Sequence, residues 1–162
     1  MKQGFDLQRF LDAQAGGEFE DALAELRAGR KRSHWIWYVF PQLAGLGSSS
    51  MARRFGLDGI AEARAYLREP TLLERLAKAT MAVHQQLCGR GLRIQVLMGS
   101  HIDALKLVSS MTLFEHVSRA LSAEEPCAHL ADLAAGAKAI LATAAAQWFP
   151  ACAFTSAALA RS

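Results

Sequence analysis

Apolar residues recur at steps of three and four along this chain, and glycine or proline interrupts them at short intervals. This spacing constrains the fold most, because a helix buries one such stripe whereas a half-buried strand needs strict alternation. Phe5, Leu7, Phe10 and Leu11 predict a first helix over 5–14, with Asp6 near its start and Gly16-Gly17 after its end. Residues 18–27 predict a second, with Phe19, Ala22, Leu23 and Leu26 on one face. Its acidic residues gather at the front and Arg27 at the back, as the helix dipole prefers. Asp58 is placed to cap a helix over 59–68, with Ile60, Ala63 and Leu67 inward. Pro70 opens a long helix to about Leu87, striped by Leu72, Leu76, Ala79 and Val83 and stopped by Gly89 and Gly91. Residues 93–98 fit helix or strand, and Gly99 breaks them. Ser100, with Asp103 three residues on, resembles a capping box opening a helix over 101–121. Pro126 separates it from an alanine-rich helix over about 127–148. Strand signals are few and no repeat or linker divides the chain, so the expected class is mainly α, a single compact multi-helix domain over 1–162.

A chain of 162 residues can bury a core of its own, and 52% hydrophobic with 20% charged residues excludes intrinsic disorder. The net charge of +3 is spread, with Arg30-Lys31-Arg32 and Arg53-Arg54 as the only clusters. Without a basic stripe there is no strong nucleic-acid signal. Cys88, Cys127 and Cys152 are odd in number and widely spaced, which fits a reducing cytoplasm better than a disulfide framework. The first residues lack the apolar core of a signal peptide. Residues 139–160 carry no charge and are long enough to span a bilayer. They are mostly alanine, however, and Gln147, Pro150, Thr155 and Ser156 interrupt them, so the expectation is a packed helix and no membrane span.

The densest chemistry lies between Arg30 and Gly47. Three cations lead into Ser33, His34, Trp35, Trp37, Tyr38 and Phe40, then Pro41, Gly45 and Gly47. Such an aromatic cluster is either a core centre or a binding surface. Residues 33–39 form a short helix capped by Ser33 or an extended segment, and Pro41 ends either. If helical, His34, Trp37 and Tyr38 share one face and Trp35 another, so at least one tryptophan is structural. His34 is either a core histidine bound to a carbonyl or an acid–base group near neutral pH. The Gln42 amide either reads a ligand's hydrogen-bonding edge or holds its turn. A second constellation places Asp103, Lys106 and Ser110 at steps of three and four, with Ser109 and Thr112 three apart. Their hydroxyls either bond back to the preceding turn or form a polar notch in an apolar wall, where Lys106 meets an anionic group.

Four stretches carry a resemblance. They are Phe-Asp-Leu-x-Arg-Phe-Leu-Asp-Ala-Gln from Phe5, Arg-Lys-x-Ser-His-Trp-x-Trp-x-x-Phe-Pro-Gln-x-x-Gly-Leu-Gly from Arg30, the helix of Glu62 to Leu67, and Asp-x-Leu-Lys-Leu-x-Ser-Ser-Met-Thr-Leu-Phe from Asp103. Together the chain resembles, over about 5–115, the bacterial family catalogued as domain of unknown function 1810. The resemblance implies a compact, mainly helical cytoplasmic domain and no particular chemistry. Beyond Phe114 the family continues through an aromatic-rich helix to a Gly-x-x-Asp-x-x-Thr ending, where this chain has an alanine-rich tail. Gly99, Ser100 and His101 also stand where the family has an acidic or proline-containing turn.

Familiar catalytic templates are missing. There is no phosphate-cradling Gly-x-x-x-x-Gly-Lys-Ser/Thr, no dinucleotide Gly-x-Gly-x-x-Gly and no strand–turn–helix context for a nucleophile elbow. His34, His84, His101, His116 and His129 are scattered, so no metal site is expected, and no cofactor is implied. The expected site is a pocket between the run 33–42 and the helix 101–121. There Arg32, His34, Trp37, Gln42, Lys106, Ser109 and Ser110 would bind a small anionic, nucleotide- or phosphate-like ligand by stacking and charge. The alternative is a protein–protein interaction module that uses the same basic-aromatic surface and has no enzymatic activity.

Overall fold

Ten α-helices and one π turn make up the computed structural model, which describes residues 4–162 and has no strand among them. The helices are α1 (Gln8–Gln14), α2 (Glu18–Arg27), α3 (Ile36–Val39), α4 (Ser50–Phe55) and α5 (Gly59–Arg68). They continue with α6 (Pro70–His84), the π turn (Gln85–Gly89), α7 (Ile94–Met98), α8 (His101–Glu124), α9 (Ala128–Ala146) and α10 (Ala153–Ala160). The mainly α class therefore holds.

Helix α8 is the centre. From Leu107 to Phe114 every residue is buried, so this stretch is enclosed all round. α9, α5, α7 and α10 pack around it, while α6 rests on α9 and α2. An aromatic chain fixes α1 and α5 to this axis: Phe10 meets Tyr66 edge-on at 5.0 Å, and Tyr66 meets Phe114 at 5.5 Å. Full burial raises the Tyr66 phenol pKa well above its usual value.

A buried ion pair closes the α1–α5 corner. Arg9 donates to both carboxylate oxygens of Glu62, at 2.9 and 3.1 Å, and to the carbonyls of Arg54 and Gly56. Glu62 also accepts the backbone N–H of Asp58 at 2.8 Å. Here the expectation fails in detail: the Asp58 side chain makes no cap bond. Glu62, one turn into the helix, takes the Asp58 N–H instead while it neutralises Arg9. Ser100 does cap α8, accepting from the Asp103 N–H at 3.1 Å.

Other boundaries moved for local reasons. The first helix starts at Gln8, and α4 stands where no helix was predicted, capped by Ser49 through the Ala52 N–H. Residues 94–98 are helical. The last long helix stops at Ala146 because the Gln147 side chain turns away, accepting from the Ile94 N–H at 2.7 Å and donating to the Leu92 carbonyl at 3.3 Å. Trp148, 90% exposed, then takes a left-handed φ of 71° where glycine is usual. Residues 139–160 are thus divided between α9 and α10. No helix among the described residues is long and apolar enough to cross a membrane.

Candidate functional site

The basic-aromatic run is organised by a residue outside it. Glu25, near the end of α2, accepts from Arg32 N, Ser33 N, Ser33 Oγ and, at 3.0 Å, Trp35 Nε1. Partial burial works to raise its pKa, but those four hydrogen bonds together outweigh it and bring the carboxyl down to about 2. Ser33 therefore serves Glu25 and does not cap α3, whose N-cap position is Trp35. Trp35 is core, 1% exposed, while Trp37 is only partly buried, so the two tryptophans do face differently.

Lys31, from the middle of the cationic triplet, is buried. Its ammonium pairs with Asp103 at 2.8 Å, donates to the Ser33 carbonyl and lies 5.0 Å from the Trp35 ring centroid. Its backbone N–H bonds to Leu97 O at 2.7 Å. Gly99 makes this approach possible. It holds a left-handed φ of 80°, and a Cβ there would sit 2.9 Å from the Lys31 carbonyl oxygen.

Two shallow depressions flank the Lys31–Asp103–Lys106 set. One, of about 170 Å³, is lined by Arg32, His34, Ser100 and Asp103 among others. The other, of about 160 Å³, is lined by Gln42, Leu46, Gly47, Ile102, Leu105, Lys106 and Ser109. Asp103 borders the first, Lys106 the second, and their charged atoms are 3.9 Å apart, so the two hollows adjoin. The expected single pocket is thus a divided surface. Arg32 and His34 fall on one side, Gln42, Lys106 and Ser109 on the other. His34 is exposed, which removes the core-histidine reading.

Trp37 lies beneath Lys106, whose ammonium is 4.6 Å from the indole centroid. Ser110 is fully buried and lines neither hollow. Ser109 Oγ donates to Leu105 O at 3.0 Å, and Thr112 Oγ1 donates to Val108 O at 2.7 Å. These two hydroxyls satisfy the preceding turn. Ser110 Oγ and Trp37 Nε1 do not: both are buried with no hydrogen-bond partner. The Gln42 backbone pins its turn by accepting the Leu57 N–H at 2.9 Å, and the residue lines the notch. Sequence reasoning missed Ile102 and Leu105, 63% and 45% exposed, although two large aliphatic residues three apart on α8 were a readable signal.

A larger groove of about 770 Å³ lies elsewhere, between α5, α6 and the junction of α8 with α9. Its walls are largely apolar, and Arg68 and Glu125 on its rim pair with each other at 2.8 Å. Glu74 and His129 line it as well.

The family model described as "Protein of unknown function (DUF1810)" matches residues 4–143, so the match runs past the motif-bearing 5–115 and into α9. The solved structure of the conserved hypothetical protein Rv1873 from Mycobacterium tuberculosis is similar throughout. Its TM-score is 0.74, at 40% sequence identity over 94% of this chain and 95% of that one. No curated protein matches the chain.

Proposed function

The chain belongs to the DUF1810 family, and for this member we propose recognition of a small anionic group at the notch beside Lys106. One observation carries the reading. Among the three charges at the site, Asp103 is committed to Lys31 at 2.8 Å and touches Lys106 only at 3.9 Å. Lys106 therefore has no close counter-ion, and its ammonium lies over the Trp37 face. Gln42 lines the same largely apolar notch, and an amide can donate to an anion. The Ser109 hydroxyl is engaged with Leu105 O. Arg32 and His34, across Asp103, add exposed donors from the neighbouring hollow.

Size narrows the ligand. A notch of about 160 Å³ lies below the roughly 300 Å³ at which small-molecule pockets begin. It fits a phosphate or carboxylate group, with any remainder of the ligand outside. The alternative, a protein-interaction surface, is favoured by the exposed Ile102 and Leu105 on the same rim. The anion reading is tested by titrating pyrophosphate and following thermal unfolding. Saturating a site at a hundred times its dissociation constant stabilises by about 2.7 kcal/mol. Wild type should respond and Lys106→Met should not, with its unliganded melting temperature near wild type. Equal responses, or none from wild type, would refute the site.

A further inference from the structure

Exposed apolar side chains are gathered around the notch. Ile102 and Leu105 stand out from α8 and border it together with half-buried Leu46. Phe154 of α10, 45% exposed, lies against Gly45 of the same loop. A Cβ on Gly45 would meet the Phe154 ring at 3.1 Å, so bare backbone seats that ring. Scattered exposed apolar residues need no explanation, but apolar side chains from α8 and α10 gathered on the loop that carries Leu46 do. The charges alongside are mostly of one sign. Lys106 lies at the notch and Arg32 in the adjoining hollow, while Asp103 is occupied by Lys31.

We propose that this face docks an acidic, apolar segment of a partner protein. One aliphatic side chain of the segment enters between Leu46, Ile102 and Leu105, and a neighbouring carboxylate reaches Lys106. The inference rests on the anion reading and names what carries the anion. Charge complementarity selects the occupant: a cationic face repels a second copy of itself, in a chain whose net charge is already +3. The concave notch favours an inserted side chain over a lipid surface, which is met by protruding residues.

The test is a random peptide display library selected on the whole chain, with binding of the winners measured by fluorescence anisotropy. Enriched peptides should combine Leu, Ile or Phe with adjacent Asp or Glu. They should bind the Ile102→Ser/Leu105→Ser variant about tenfold more weakly. Both side chains are exposed, so that variant should melt as wild type does. Lys106→Met and added salt should weaken binding as well. Winners without acidic residues, winners indifferent to the double variant, no enrichment, or a preference for phosphatidylserine vesicles would each overturn the proposal. The two readings fail separately. If pyrophosphate stabilises wild type but not Lys106→Met while no peptide binds, the docking proposal falls alone. If peptides need Ile102 and Leu105 but ignore Lys106, the anion reading falls, and with it the acidic requirement of the dock.

Discussion

The turn around Glu25 and the face around Lys106 draw on one run of sequence yet treat their polar atoms in opposite ways. In the turn, two backbone N–H groups, one hydroxyl and one indole N–H converge on a single carboxylate, and Lys31 is held by Asp103 and by the Ser33 carbonyl. At the face, Trp37 Nε1 is buried without a partner, Lys106 is loosely paired, and Ile102 and Leu105 are in solvent. The first region spends its chemistry on holding α2, α3 and α8 together. The second retains groups that the fold does not use, and unmatched groups on a rigid scaffold are where binding is to be sought.

The sharpest way to break this comparison is Glu25→Ala. It leaves four donors in a partly buried turn without their acceptor, and the expected loss is about 3 kcal/mol, since each bond to a charged group counts for more than a neutral one. Chemical denaturation would measure it. A loss within the range of an ordinary surface substitution, about 0.5 kcal/mol, would mean that the turn does not depend on Glu25.

A second consequence follows from the same carboxylate through its titration. The folded pKa is about 2 against an ordinary 4.5, so in that window the unfolded chain binds more protons and stability rises with pH. The contribution is complete above pH 4.5 and is lost as pH falls toward 2. Denaturation midpoints across this range should fall more steeply for wild type than for Glu25→Gln. Parallel curves would show that the hydrogen bonds do not favour the charged form.

How much of this could be read beforehand depended on how local the cause was. Residues 59–68 were legible from their apolar spacing, although Asp58 does not cap them. The Ser100 cap was legible because capping residues act within a turn of themselves. The burial of Lys31 was not, since it requires Asp103 from α8 and the bare backbone of Gly99, both far along the chain. Nor was the role of Ser33, because its partner lies on α2. At the candidate site, Gln42, Lys106 and Ser109 line one notch, and Arg32 and His34 line another. Ser110 was inseparable from Ser109 in sequence, for only the packing around α8 decides which of two adjacent serines faces inward.

Ser110 and Thr112 supply the smallest and most discriminating effect. The Thr112 hydroxyl donates to Val108 O and accepts the Cys152 N–H at 3.1 Å, tying the C-terminal segment to α8. The Ser110 hydroxyl, on the same helix and equally enclosed, bonds to nothing. Removing a satisfied buried hydroxyl strands its partners and should cost about 1 kcal/mol for Thr112→Val. Removing an unsatisfied one deletes a desolvated polar atom without stranding any, so Ser110→Ala should be neutral or stabilising, by at most about 1 kcal/mol. Opposite signs in paired denaturation curves would confirm that α8 carries both kinds of polar atom within one turn. Destabilisation by Ser110→Ala comparable to Thr112→Val would show that Ser110 is partnered in solution.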